Sequence, residues 1–182
     1  MKAIIKYVLS GILFSGILSS CADNLDFNQY DQLEVTPTYE ASILYVEVAE
    51  SIVNDVAVAE FFSKDFNFDA FSSDIFAERV IEGEVTYVVE NTTSKEIEVT
   101  VEFLDENGTI LDTEILTAQE VPSSILQRDI AYGSTGRSID IIKNLSEIRV
   151  SAVNRGDTTS ISNLESPMIT LKSSGKFRVR IK

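Results

Sequence analysis

Apolar and polar residues alternate most cleanly over residues 96–104. Ile97, Val99, Val101 and Phe103 fall on one side, and Glu96, Glu98, Thr100 and Glu102 on the other. A period of two with one polar side predicts a strand with one face buried and one in water. Residues 84–91 repeat the pattern with Val85, Tyr87 and Val89 on one side, and residues 147–153 with Ile148, Val150 and Ala152. Residues 176–182 close the chain with Phe177, Val179 and Ile181 against Lys176, Arg178, Arg180 and Lys182. Residues 41–48 are apolar on both sides, as in a strand buried on both faces, and residues 124–132 form a further strand. Pro167 opens another that runs to Leu171, and Ser173-Ser174-Gly175 breaks or kinks it. Residues 49–60 fit either a short helix or a hairpin turned at Asn54-Asp55, and the hairpin is the expectation. Residues 137–144 fit a helical turn or two crossing between sheets.

The turn after residue 104 can be argued to a register. A two-residue loop at Asn107-Gly108 would set Phe103 opposite Asp112 and Val101 opposite Glu114, placing two carboxylates on the apolar face. A three-residue loop with Gly108 in the left-handed region sets Phe103 opposite Leu111, Val101 opposite Thr113 and Val99 opposite Ile115. The second register avoids an unpaired buried charge, which costs several kcal/mol, and is the one expected.

Seven to nine short strands with turns every 8–12 residues predict an all-β fold. The expectation is a single immunoglobulin-like antiparallel sandwich over residues 38–182 with one short helical crossover. The run from Tyr87 to Gly108 resembles the central hairpins of many small secreted β-sandwich domains.

Ahead of that body, Lys2 and Lys6 precede a short apolar run, Tyr7 to Ile17, which has the form of a secretory signal. It is shorter than the roughly 20 apolar residues of a membrane span. It ends in Leu18-Ser19-Ser20-Cys21, which resembles the lipobox of bacterial lipoproteins. That resemblance implies a signal peptide over 1–20, cleavage between Ser20 and Cys21, and a lipid on Cys21. The polar, acidic stretch 21–37 then reads as a flexible tether. Its spread acids Asp23, Asp26 and Asp31, together with the body, resemble Bacteroidota lipoproteins of this size. The resemblance implies an outer-membrane protein held by its lipid and facing the periplasm or the cell surface.

Charge narrows the partners. The chain carries 29 acidic and 15 basic residues, and removal of Lys2 and Lys6 leaves a net of −16. Such a surface repels nucleic-acid backbones, so no nucleic-acid partner is expected. Residues 22–136 hold 25 acids against 4 bases, whereas residues 137–182 hold 4 against 9. The basic last strand is accounted for by pairing with the acidic outer face of 96–104, by an exposed basic patch, or by no special role. Cys21 is the only cysteine, so no intramolecular disulfide can form.

The chain has no histidine, which removes Ser–His and Cys–His nucleophilic sites and the usual zinc sets. It also lacks phosphate-cradling glycine motifs. No catalytic residue, cofactor or metal is therefore expected. The expected role is a non-catalytic binding or structural module with a protein or glycan partner in the envelope. The alternative is a calcium-binding or carbohydrate-active surface protein working through carboxylates. Residues 61–76 hold six of the ten Phe, and Asp65, Asn67 and Asp69 match positions 1, 3 and 5 of a calcium loop. Ala70 and Phe76 stand where that loop wants Gly and Glu. Three readings stay open for this stretch: a connection whose Phe residues plug one end of the sandwich, a calcium site, or an aromatic contact loop.

Overall fold

The computed structural model describes residues 34–56, 59–68, 74–120 and 125–181. Among them are eight strands: β1 (Thr38–Ala49), β2 (Glu60–Asn67), β3 (Val80–Asn91), β4 (Ile97–Leu104), β5 (Ile110–Ala118), β6 (Ile125–Tyr132), β7 (Glu147–Asn154) and β8 (Met168–Val179). Three short helices, α1 (Glu50–Asn54), α2 (Asp74–Arg79) and α3 (Ile139–Lys143), lie in the connections. The strands form two four-stranded antiparallel sheets, ordered β1-β8-β3-β6 and β2-β7-β4-β5. The all-β antiparallel sandwich is as expected, and α3 is the expected helical crossover from the first sheet to the second, but α1 and α2 lie in sheet-to-sheet connections as well.

The connectivity departs from the expected immunoglobulin arrangement, in which A, B, E and D share one sheet and C, F and G the other. Here only β4 and β5 are both consecutive and adjacent, and every other connection leaves its sheet. That is the order of an eight-stranded jelly roll.

The inner faces supply the core: Val85, Tyr87 and Val89 of β3, Ile97, Val99, Val101 and Phe103 of β4, Ile148, Val150 and Ala152 of β7, and Leu171 and Phe177 of β8 are all buried. β8 runs unbroken through Ser173-Ser174-Gly175, and the irregularity expected there sits in β1, where Ile43 bulges between the pairs Ser42↔Ser174 and Leu44↔Ser173. Glycine is needed at Gly175 because the Phe177 ring fills the space that a side chain would take. The same ring lies over Gly83, where a Cβ would come within 2.6 Å of Phe177 Cδ1, and it meets Phe76 edge-on at 5.6 Å.

Several expectations are corrected. Residues 50–54 form α1, not half of a hairpin, and β2 pairs β7 in the opposite sheet. The segment must carry the chain from one sheet to the other, and Val53 is fully buried in doing so. β1 is an edge strand and is not buried on both faces: Leu44 and Val48 point inward, while Tyr39 and Tyr45 are exposed. The basic side chains of β8 do not meet β4. Lys176 pairs with Glu40 at 3.0 Å and Arg178 with Glu82 at 2.7 Å, whereas the outer acids of β4 find Arg149 on β7 and Arg155 just after it.

The β4–β5 register is also reversed. The turn is the three-residue connection expected, with Gly108 at φ 77° and Asp105 N donating to Thr109 O. A second bulge follows, since Leu104 pairs Ile110 but Phe103 pairs Asp112. Leu111 is the extra residue, and it shifts the rest of β5 by one, so that Val101 faces Glu114 and Val99 faces Leu116. Glu114, Leu116 and Ala118 are buried, and Ile115 is exposed.

Candidate functional site

Of the residues singled out in the sequence, Ser20 and Cys21 lie outside the described residues, as do the signal segment 1–20 and Asp69. Asp65 and Asn67 stand in β2, an extended strand, and not in a calcium loop. The Asp65 carboxylate is gripped by the Arg149 guanidinium at 2.8 and 3.1 Å, which holds it below the usual carboxylate range. Among the described residues no group of three or more His, Cys, Asp or Glu side chains could hold a metal. Phe61, Phe62, Phe66, Phe68 and Phe76 pack against the core, but residues 60–67 are strand β2 and not part of a connection.

The bulge at Leu111 turns Asp112 and Glu114 inward, where cations meet them. Arg137, just ahead of α3, reaches Asp112 Oδ2 at 2.7 Å with Nη1 and Glu114 Oε1 with Nη2. Arg128, on the inner face of β6, reaches Glu114 Oε2 at 3.3 Å. Tyr132 donates its hydroxyl to Asp112 Oδ2 at 2.8 Å and stacks on Phe103. Burial, reinforced by Asp112 and Glu114, pushes the Tyr87 phenol well above its ordinary range; burial does the same to Tyr132, with Tyr87 and the Asp112 contact adding. The cluster ties β5 at one sheet's edge to β6 at the other's, and both carboxylates are engaged by guanidinium groups. The signal for it in the sequence is Arg128, in phase with the inward Leu126, Ile130 and Tyr132.

A second polar cluster fixes the loop 155–167. Lys95, fully buried, donates all three Nζ protons, to Asp157 Oδ1 at 2.9 Å, Ser160 O at 2.6 Å and Ser94 Oγ at 3.1 Å. Glu50 accepts from Ser94 N, Ser94 Oγ and Ser162 N. Burial works to raise the Glu50 carboxyl, but those bonds and Lys95 bring it below the usual value. Asp157 accepts from Ser160 Oγ, Ser160 N and Lys95, and its carboxyl is held well below the usual range.

The outer face of the first sheet differs from both clusters. Cross-strand pairing lays its side chains in rows running β1, β8, β3, β6. One row is Glu40, Lys176, Glu84 and Ala131; the next is Ser42, Ser174, Thr86 and Asp129; the third is Tyr45, Lys172, Val88 and Gln127. The small side chains of the middle row leave a trough, formed by adjoining depressions of about 490 and 440 Å³ that share Ser42, Thr86 and Ser174. Thr86 Oγ donates to Asp129 Oδ1 at 2.7 Å. The hydroxyls of Ser42 and Ser174, the Glu84 carboxylate and the Lys172 ammonium have no ion pair or hydrogen bond among the described residues. Tyr45 is 61 % exposed, with its hydroxyl donated to Glu47 at 2.7 Å. On the second sheet's outer face the charged groups Asp65, Glu102, Glu98, Arg149 and Arg155 are instead paired with one another.

No family model matches the sequence, and no curated protein matches it either. Among solved structures, the VP2 subviral particle of infectious bursal disease virus is similar at a TM-score of 0.42 and 8 % identity, over 79 % of this chain and 32 % of that one. The chain thus spans about a third of the VP2 length. A Bacillus endospore appendage that forms disulfide-linked pili matches at 0.37 and 9 % identity, over 81 % and 92 %. The desmodium yellow mottle tymovirus protein matches at 0.37 and 7 % identity, over 81 % and 84 %.

Proposed function

We propose that this protein is a lipid-anchored envelope lipoprotein whose jelly-roll body is a non-catalytic binding module, with the outer face of the first sheet as its contact surface. The observation that carries this reading is the distribution of unspent polar groups. Asp112 and Glu114, the cluster of Glu50, Lys95 and Asp157, and Asp65, Glu98, Glu102, Arg149 and Arg155 of the second sheet's outer face are committed to partners within the fold. Ser42, Ser174, Glu84 and Lys172 are not, and they share one trough. Groups kept desolvation-ready and unpaired on a rigid sheet suit recognition, because the elements that position them are already ordered.

The anchor rests on Leu18-Ser19-Ser20-Cys21. The lipid would hold the protein in the outer membrane, facing the periplasm or the cell surface, since two or more acyl chains anchor stably where one does not. Radiolabelled palmitate should enter the wild-type chain and be absent from Cys21→Ala; label retained in that variant would sink the anchor. A photo-crosslinking residue at position 174 on intact cells should trap an envelope component, and the same residue at position 151, on the opposite sheet, should not.

A further inference from the structure

We infer that the trough on the first sheet's outer face takes a neutral oligosaccharide. The inference rests on the reading of that face as the contact surface, and it adds the chemical class of what is held there.

The lining sets the class. Ser42 and Ser174 each offer a hydroxyl that can both donate and accept. Thr86 has given its proton to Asp129 and keeps its lone pairs for a donor. Glu84 accepts only, and Lys172 donates only. A ligand that satisfies this mixture must carry many groups that donate and accept at once, which is the property of vicinal hydroxyls. A strongly anionic chain would meet Glu84 and Asp129, and of the two lysines that line the trough Lys176 is already held by Glu40 at 3.0 Å. A polycation would meet Lys176 in the first row and Lys172 in the third.

The third row adds an apolar surface. Tyr45 presents an exposed ring, steadied through its hydroxyl by Glu47, and lies in one row with Lys172 and Val88. An aromatic face beside hydroxyl-binding groups fits a pyranose, which has C–H surface on one side and hydroxyls around its rim. Side chains on one face of a strand recur every two residues, about 7 Å, so the three rows span about 14 Å. That is room for a short chain of sugars in preference to a single ring.

The full-length, detergent-solubilised protein should be applied to an array of neutral oligosaccharides beside uronic-acid, sulfated and amino-sugar counterparts. Binding should be confined to neutral oligosaccharides. Tyr45→Ala should weaken it by about tenfold or more, the loss expected of a buried aromatic anchor. Ser174→Arg should abolish it by filling the trough, while Ser151→Arg on the second sheet should leave it unchanged. Because Tyr45 and Ser174 are exposed, unaltered melting curves should accompany these losses, and a lost fold would show there. Binding only to charged glycans, or binding that survives both Tyr45→Ala and Ser174→Arg, would overturn the inference. A blank array with a protein trapped by the position-174 crosslinker would overturn the sugar and leave the contact surface standing. A blank array with nothing trapped would overturn both.

Discussion

Arg137 holds two carboxylates with one guanidinium, and its loss would be felt mainly through what it leaves behind. Glu114 is 6 % exposed, and with Arg137 gone only Arg128 at 3.3 Å would compensate it. Removing one partner of a buried ion pair costs about 3–5 kcal/mol. Arg137 is itself about a third exposed, so Arg137→Ala is expected to cost less, about 2–4 kcal/mol, read as a fall in the urea midpoint at constant slope. Adding Glu114→Gln should restore part of that loss, because the charge left uncompensated is then gone. A double variant less stable than Arg137→Ala would contradict this account. These carboxylates are visible in the sequence only as a difficulty. The alternation of β5 says that one register buries two acids, and the cost of unpaired charge argues against it. What overrides that argument is Arg137, which lies outside any strand and is brought over β5 by the crossover at α3.

Among the elements, β3 and β8 share a device that depends on absent side chains. Gly83 and Gly175 leave the space that the Phe177 ring occupies, so Gly83→Ala would drive a Cβ against Phe177 and Gly175→Ala against both Phe177 and Ile43. Overpacking of this kind costs about 1–3 kcal/mol. In Gly83→Ala combined with Phe177→Leu the penalties should fall short of their sum, since the smaller side chain vacates the contested space. Strict additivity in denaturant titrations would show that the ring and the glycine are independent. Gly108 offers a contrast. It has φ 77° and open space around it, so Gly108→Ala should lose only the roughly 1 kcal/mol of the left-handed conformation. The strands themselves are legible wherever one face is buried, as in β4, β7 and the second half of β8, because the period of two is enforced by the core. It fails in β1, an edge strand whose outward Tyr45 looks apolar in sequence and stands in water. It fails again at α1, five residues long and too short to show a helical period.

Over the whole molecule, alternation tells each strand which side faces in and says nothing of which strand lies beside it. That is why an antiparallel sandwich can be read from the sequence and the jelly-roll order cannot. A consequence that the whole composition does support concerns pH. The chain has no histidine, so no side chain of the sandwich has an ordinary pKa between the carboxylates and the tyrosines. On the acid side, Glu50, Asp65, Glu82 and Asp157 all have folded pKa values below their unfolded ones of 4.5 or 3.8. Their stabilisation is therefore complete above the unfolded values and is lost as pH falls through the lower folded ones. On the alkaline side, Tyr87 and Tyr132 have folded values above the ordinary 10.0. Above pH 10 the unfolded chain gives up protons that the folded one retains, so stability falls as pH rises. The melting temperature should accordingly be level from about pH 5 to about pH 9.5 and decline on both sides. Tyr132→Phe should delay the alkaline decline by removing one of the two buried phenols, at the expense of the hydrogen bond to Asp112. A maximum confined to pH 6–8, or a melting temperature that rises above pH 10, would show that groups other than these govern the stability of the fold.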